Sequence, residues 1–408
     1  MPHLSPLNRR SFLKMIAAGA GATALAPLTR FAPAYASTSN TRNRLLVIFA
    51  QGGLRSADFC DAYDSSTEEV DTHYNFSNCI DVLGDGSWML PPAAAALAAH
   101  TDKMAIVRHV YMETAGHPTG VKIGLNGSAR TSAAAGSVVI ANNLEWNDPV
   151  SSLSFAQNMS SADLEGPISG EPTDLVDLFE NKKLSTNDGM HDAIRTALST
   201  HAASFSNAIK KKAKFHQWNQ VADIADKIDG LDYHTKLDPG DTSSGLAQEF
   251  YQAAGGGDTA HAIRFAAAYN ALVEGICPVT TVCLSGFDTH TGSQVSECTQ
   301  LSNSLAFMMD KLSDANIMSQ TTIAVVSDFD RTSSINASNG TDHGLYGSVA
   351  LFGNGITPGV VGGSRGTQPG SVTSTYKRRD IWATLFKIFG VDYTKYLTDA
   401  APIDGVHS

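Results

Sequence analysis

Two short segments concentrate the residues able to do chemistry, Asp288-Thr289-His290 and the stretch from Asp328 to His343. In the first, alternate side chains of an extended backbone point the same way, so the carboxylate and imidazole suit one divalent metal. In the second, Asp328, Asp330 and Arg331 arrive together, a Gly/Ser/Asn-rich loop follows, and Asp342-His343-Gly344 closes it. Arg331 reads as a loop-fixing ion pair with Asp328 or Asp330. Asp58 and Asp61 follow Gln51-Gly52-Gly53, where paired glycines let backbone approach a ligand; a tight turn with solvated acids is the alternative. His117 reads as a ligand, a base or a satisfied structural histidine. Thr114, Thr119 and Ser128 are the hydroxyls placed as a nucleophile would be, at a strand-to-helix junction.

Each cluster follows an apolar run, and the runs dictate the scaffold. Arg44 to Ala50, Lys103 to Val110, Val279 to Leu284 and Thr321 to Val326 are continuous and rich in β-branched residues, as central parallel strands are. A further strand is expected over Ser348 to Phe352. Helices are expected over 91–100, 293–316 and Arg378 to Phe389, the last ended by Gly390. Strands alternating with helices predict an α/β fold, a mainly parallel sheet flanked by helices, with its site just past the carboxyl ends of the strands. Between about 160 and 275 the character changes to lysine-studded amphipathic helix, including Met190 to Ile228, which reads as a helical insertion. The last dozen residues read as a surface tail.

Residues 1–36 read as an export leader: Arg9-Arg10 in a twin-arginine pattern, an apolar segment from Met15 to Ala26, and Ala34-Tyr35-Ala36 as a cleavage site. The mature chain, 37–408, is then one domain with no segment long and apolar enough to span a bilayer. The expected partner is the twin-arginine translocase and the destination the periplasm or the outside. Without the leader, 25 basic residues face 40 acidic ones, a net charge of −15 that disfavours nucleic acid. An anionic substrate stays open, since a bound cation reverses the local field. The five cysteines lack zinc-type spacing, and Cys60 with Cys79 or Cys283 with Cys298 are candidate bridges.

The segments QGGLRSADFCDAYD, AGHPTGVKIGLNGS, GFDTHTGS, SDFDRTSSINASNGTDHG and RRDIWATLFKIFG resemble a family of exported bacterial proteins, the domain of unknown function 1501 family. That family in turn resembles the alkaline phosphatase/sulfatase superfamily. The resemblance implies a metal-dependent hydrolase of phosphate or sulfate esters, small or polymeric. It implies a divalent metal, zinc first, with calcium, magnesium or manganese as alternatives. By position, Asp288, His290 and His343 would hold one metal and Asp58 and Asp328 another, with Asp342 supporting His343 or binding directly. A hydroxyl between Thr114 and Ser128, Thr119 among them, would be the nucleophile and Arg331 the anion holder. Where the superfamily has Asp-His, this chain has Asp328-Phe329, and its D-x-x-x-H is shortened to D-x-H. The alternative is therefore a non-catalytic envelope protein with a structural or vestigial metal site.

Overall fold

The computed structural model describes residues 43–66, 70–130, 132–144, 146, 150–157, 159–162, 164–180, 232–363 and 376–407. The expected leader and the stretch from Met190 to Ile228 lie outside these.

The described strands of the main sheet are β1 (Arg44–Ala50), β2 (Met104–Tyr111), β3 (Ser152–Phe155), β4 (Ile168–Gly170), β5 (Val279–Leu284), β6 (Thr321–Ser327), β7 (Tyr346–Gly353), β8 (Gly359–Val361) and β9 (Tyr376–Lys377). They pair in the order β8-β2-β7-β6-β1-β5-β3-β4, with β9 also against β2. β1 is central and parallel to both β5 and β6. β7 runs antiparallel to β6 and β2. Every residue of β1 is buried, because Leu46, Ile48 and Ala50 face one core while Leu45, Val47 and Phe49 face the other. Burial on both faces is why the run is apolar without alternation.

The described helices are α1 (Ser56–Phe59), α2 (His117–Asn126), α3 (Gly136–Asn143), α4 (Pro172–Glu180), α5 (Tyr233–Leu237), α6 (Gly245–Ala253), α7 (Thr259–Val273), α8 (Val295–Asp314) and α9 (Arg378–Ile388). Phe250, Phe265 and Ala266 from α6 and α7, with Leu301, Leu305 and Met308 from α8, fill one core. On α8 these apolar residues recur at helical spacing, which turns a single stripe toward the sheet. Leu125, Val139, Ile381, Trp382 and Leu385 from α2, α3 and α9 fill the opposite core. The result is a sheet between two helical layers.

Within the span of the expected helical insertion, helices α5 to α7 pack against the sheet, with Leu237, Phe250 and Ala268 in the core. Other expectations change. The region over 91–100 is a 3-10 helix, Pro92–Lys103. Ile403 and Val406 are buried in the core beside α9, so the chain end is packed and not a loose tail. Neither candidate disulfide forms: Cys60, Cys283 and Cys298 keep free thiols. Cys283 and Cys298 belong to opposite cores, with the sheet between them. Among the described residues no helix is long and apolar enough to cross a membrane.

Candidate metal centre

The loops after β1, β2, β5 and β6 leave the sheet from its carboxyl edge, where open α/β sheets collect their ligands. Because β7 runs the other way, it starts at that edge, and His343, three residues before it, arrives there too. Helix α2 is seated directly on the end of β6. A Cβ at Gly120 would stand 2.6 Å from the Asp328 carbonyl oxygen, and one at Gly124 2.7 Å from that of Ser327. Glycines four apart on one helix face allow this approach, and it sets His117 against Asp328.

His117, Asp288 and His343 each present one donor atom, all within 4.8 Å of one another. His290 joins them: its Nε2 lies 3.2 Å from Asp288 Oδ1 and 3.0 Å from His343 Nε2. His117 Nε2 stands 3.5 Å from Asp288 Oδ2, and His343 Nε2 3.8 Å from Asp288 Oδ1. Donors about 2.1 Å from one tetrahedral cation are spaced by about 3.4 Å, so this set fits such an ion.

The tautomers point to the same chemistry. His343 Nδ1 is 2.6 Å from the Ala115 carbonyl, which can only accept, so the proton sits on Nδ1 and Nε2 keeps its lone pair. His117 Nδ1 lies 2.6 Å from Asp328 Oδ2, and His290 Nδ1 3.4 Å from Asp342 Oδ1. Each imidazole thus turns Nε2 toward Asp288, as metal-bound histidines do when an outer partner holds the other nitrogen. Burial lowers the His343 pKa; the Ala115 hydrogen bond opposes this, while Arg331, His117 and His290 add to it. Desolvation tends to raise Asp288, but the hydrogen bond and charge of Arg331, then His117 and His290, hold it below the ordinary carboxylate value. Both shifts favour the unprotonated forms that bind a cation.

Asp328 is fully buried. Its Oδ1 accepts from Gly52 N and Gly53 N at 2.8 and 2.9 Å, while Oδ2 serves His117. It therefore stands one layer behind the cluster. Asp342 supports His290 and not His343, and Asn336 Nδ2 donates to both the Asp342 carboxylate and the His290 carbonyl.

Asp58 is drawn elsewhere, its carboxylate engaged by Arg55 at 3.1 Å and His73 at 3.1 Å. A nearby charged partner fixed it there, which spacing alone could not reveal. Arg331 is buried, and its guanidinium donates to the carbonyls of Gly52, Gly53, Phe287 and Thr341 and to Asp288. It braces the loops that carry the cluster, in place of an ion pair with Asp328 or Asp330. Thr119 is exposed on the first turn of α2. Thr114 and Ser128 accept from Gly116 N and Arg130 N in local turns.

Sequence reasoning passed over Gln294, whose amide bridges the carbonyls of Gly53 and Phe287 while accepting from Arg55 N. It also passed over Arg378, buried against the carbonyls of Ser327 and Asp328. The Gly120/Gly124 spacing was the one available signal for the contact between α2 and β6.

A mainly parallel sheet between helical layers, with a histidine–carboxylate cluster past its strand ends, defines the class as an α/β protein with a candidate metal centre. A family model described as "Protein of unknown function (DUF1501)" matches residues 42–402, and the chain belongs to that family. No curated protein matches it in sequence. Among solved structures it is similar to the lipoteichoic acid synthase LtaP from Listeria monocytogenes, at 9% identity and TM-score 0.40, covering 90% of this chain and 77% of that one. It is also similar to a protein in the alkaline phosphatase superfamily from Vibrio parahaemolyticus, at 11% identity and TM-score 0.37, covering 86% and 67%. A third is Ps i-CgsB, at 12% identity and TM-score 0.39, covering 88% and 75%. Likeness of this strength assigns no activity.

Proposed function

We propose that this chain is a metal-dependent hydrolase of phosphate or sulfate esters, exported through the twin-arginine route to the periplasm or beyond. The observation that carries the proposal is the set of three imidazoles, each held at Nδ1 by a different partner, with their Nε2 atoms gathered around Asp288. His117, Asp288, His290 and His343 would hold a divalent cation. Zinc comes first, because a nitrogen-rich set suits it better than calcium or magnesium. Such a cation supplies Lewis acidity toward an ester oxygen. Asp328, Ala115 and Asp342 keep the ring protons on the outer nitrogens, and Arg331 holds Asp288 in its ionised form. Thr119, exposed at the amino end of α2, is the hydroxyl proposed as nucleophile, where the helix dipole eases its ionisation.

Elemental analysis of natively exported protein, paired with turnover on phosphate and sulfate esters, tests this reading. Asp288→Ala and His343→Ala should each lose both metal and activity, and Thr119→Ala activity alone. Turnover that survives exhaustive chelation would overturn it.

One observation favours a second reading, a non-catalytic envelope protein with a structural metal. The amides of Gly52 and Gly53 and the guanidinium of Arg331 are all directed at protein acceptors. Bound metal without turnover on any ester would decide for that reading.

A further inference from the structure

A second feature of the same rim lies outside the metal cluster. Tyr111, Tyr346, Lys377, Asp380, Asp399, Ala400 and Ala401 line a cavity of about 410 Å³. That volume is within the range of small-ligand sites. Tyr111 and Tyr346 face each other across β2 and β7, with ring centroids 5.1 Å apart and planes tilted by 34°. The pair forms an apolar wall with two phenol hydroxyls. Asp380 is committed to backbone donors, accepting from Lys377 N at the start of its helix and from Ala401 N. The Lys377 ammonium and the exposed Asp399 carboxylate oppose each other in charge. The lining thus offers aromatic faces, donors and acceptors without a strong field of either sign.

We propose that this cavity is a saccharide subsite. A sugar ring matches such a lining: its C–H face packs on an aromatic ring while its hydroxyls both donate and accept. A bare anion would meet Asp399 and Asp380 beside the lysine, and a cation would meet the lysine itself.

The two segments that carry the tyrosines also reach the metal cluster. Met112 N donates to Leu345 O at 2.7 Å, and His343 Nδ1 meets Ala115 O. Tyr346 follows His343 by three residues, roughly 10 Å of extended chain. A sulfated or phosphorylated glycan could therefore place its ester at the cluster and a neighbouring ring on the tyrosines. That last step rests on the hydrolase reading; the subsite itself does not.

The test is binding of the full chain to an array of neutral, sulfated and phosphorylated oligosaccharides, followed by calorimetry with whichever binds, before and after chelation. The expected result is binding that Tyr111→Ala/Tyr346→Ala weakens by about tenfold or more, equivalent to about 1.4 kcal/mol. Lys377→Met/Asp399→Asn, a surface change, should weaken binding with melting temperature and metal content unchanged. Saccharide binding without ester turnover would keep the subsite and sink the hydrolase. No binding to any glycan, or binding untouched by both double variants, would overturn the subsite. Turnover of small esters in that case would leave the hydrolase standing.

Discussion

Asp328→Asn separates orientation from ligation at the metal centre. Asn at 328 is isosteric, so its carbonyl oxygen can still accept from Gly52 N and Gly53 N at the 2.8 and 2.9 Å positions of Oδ1. The amide NH2 then replaces Oδ2 at 2.6 Å from His117 Nδ1, setting donor against donor. To relieve this, His117 must move its proton to Nε2 or turn away, and either removes a lone pair from the cluster. A hydrogen bond to a charged group contributes about 1.5–3 kcal/mol, and the loss of an outer partner costs about 10–100-fold in metal affinity. Chelator competition should therefore give a dissociation constant about 10–100-fold weaker, with the melting temperature of the metal-free protein nearly unchanged. Nitrogen NMR of the histidines should show one ring changing tautomer. Wild-type affinity in Asp328→Asn would refute the claim that His117 binds through Nε2 under the control of Asp328.

Three further outcomes follow from neighbouring contacts. Gly120→Ala puts a Cβ 2.6 Å from the Asp328 carbonyl oxygen, so α2 must shift, at about 1–3 kcal/mol. Denaturant titration should show that loss, and chelator competition weaker metal binding; unchanged values in both would refute the seating of α2 on β6. Arg331→Met leaves the carbonyls of Gly52 and Thr341 without their donor, while those of Gly53 and Phe287 keep the Gln294 amide. At about 1–3 kcal/mol for each of the two unsatisfied acceptors, urea unfolding should reveal a loss of about 2–6 kcal/mol. Burial raises the Asp330 carboxyl from 3.8 to about 7, against hydrogen bonds from Ser56 and Arg331. The folded state then holds a proton that the unfolded chain has released, so this group's stabilisation is full below about pH 4 and fades as the pH rises through about 7. Stability should fall between about pH 4 and pH 7, and Asp330→Asn should flatten that fall; equal slopes in both proteins would refute it.

The central strands were legible because burial on both faces leaves a continuous apolar run. The observed bounds at Arg44–Ala50 and Val279–Leu284 coincide with those runs. Short strands such as Ser152–Phe155 and Ile168–Gly170 carry no such signature; their existence depends on a neighbour to pair with. The D-x-H triplet and Asp342-His343 were visible as donor types. Which donor meets which was not visible, as Asp328 and His117, 211 residues apart, illustrate.

By itself the sequence determined the central strands with several of their flanking helices, the rim on which the polar residues collect, and the family. Periodicity and residue type are local, and each segment carries its own. Only the tertiary structure decided that Asp58 turns to Arg55 and His73, that Arg331 braces loops, and that His117 joins Asp288, His290 and His343. Those outcomes hang on side-chain hydrogen bonds, most of them between distant segments, and such a bond exists only once the fold has brought both partners together.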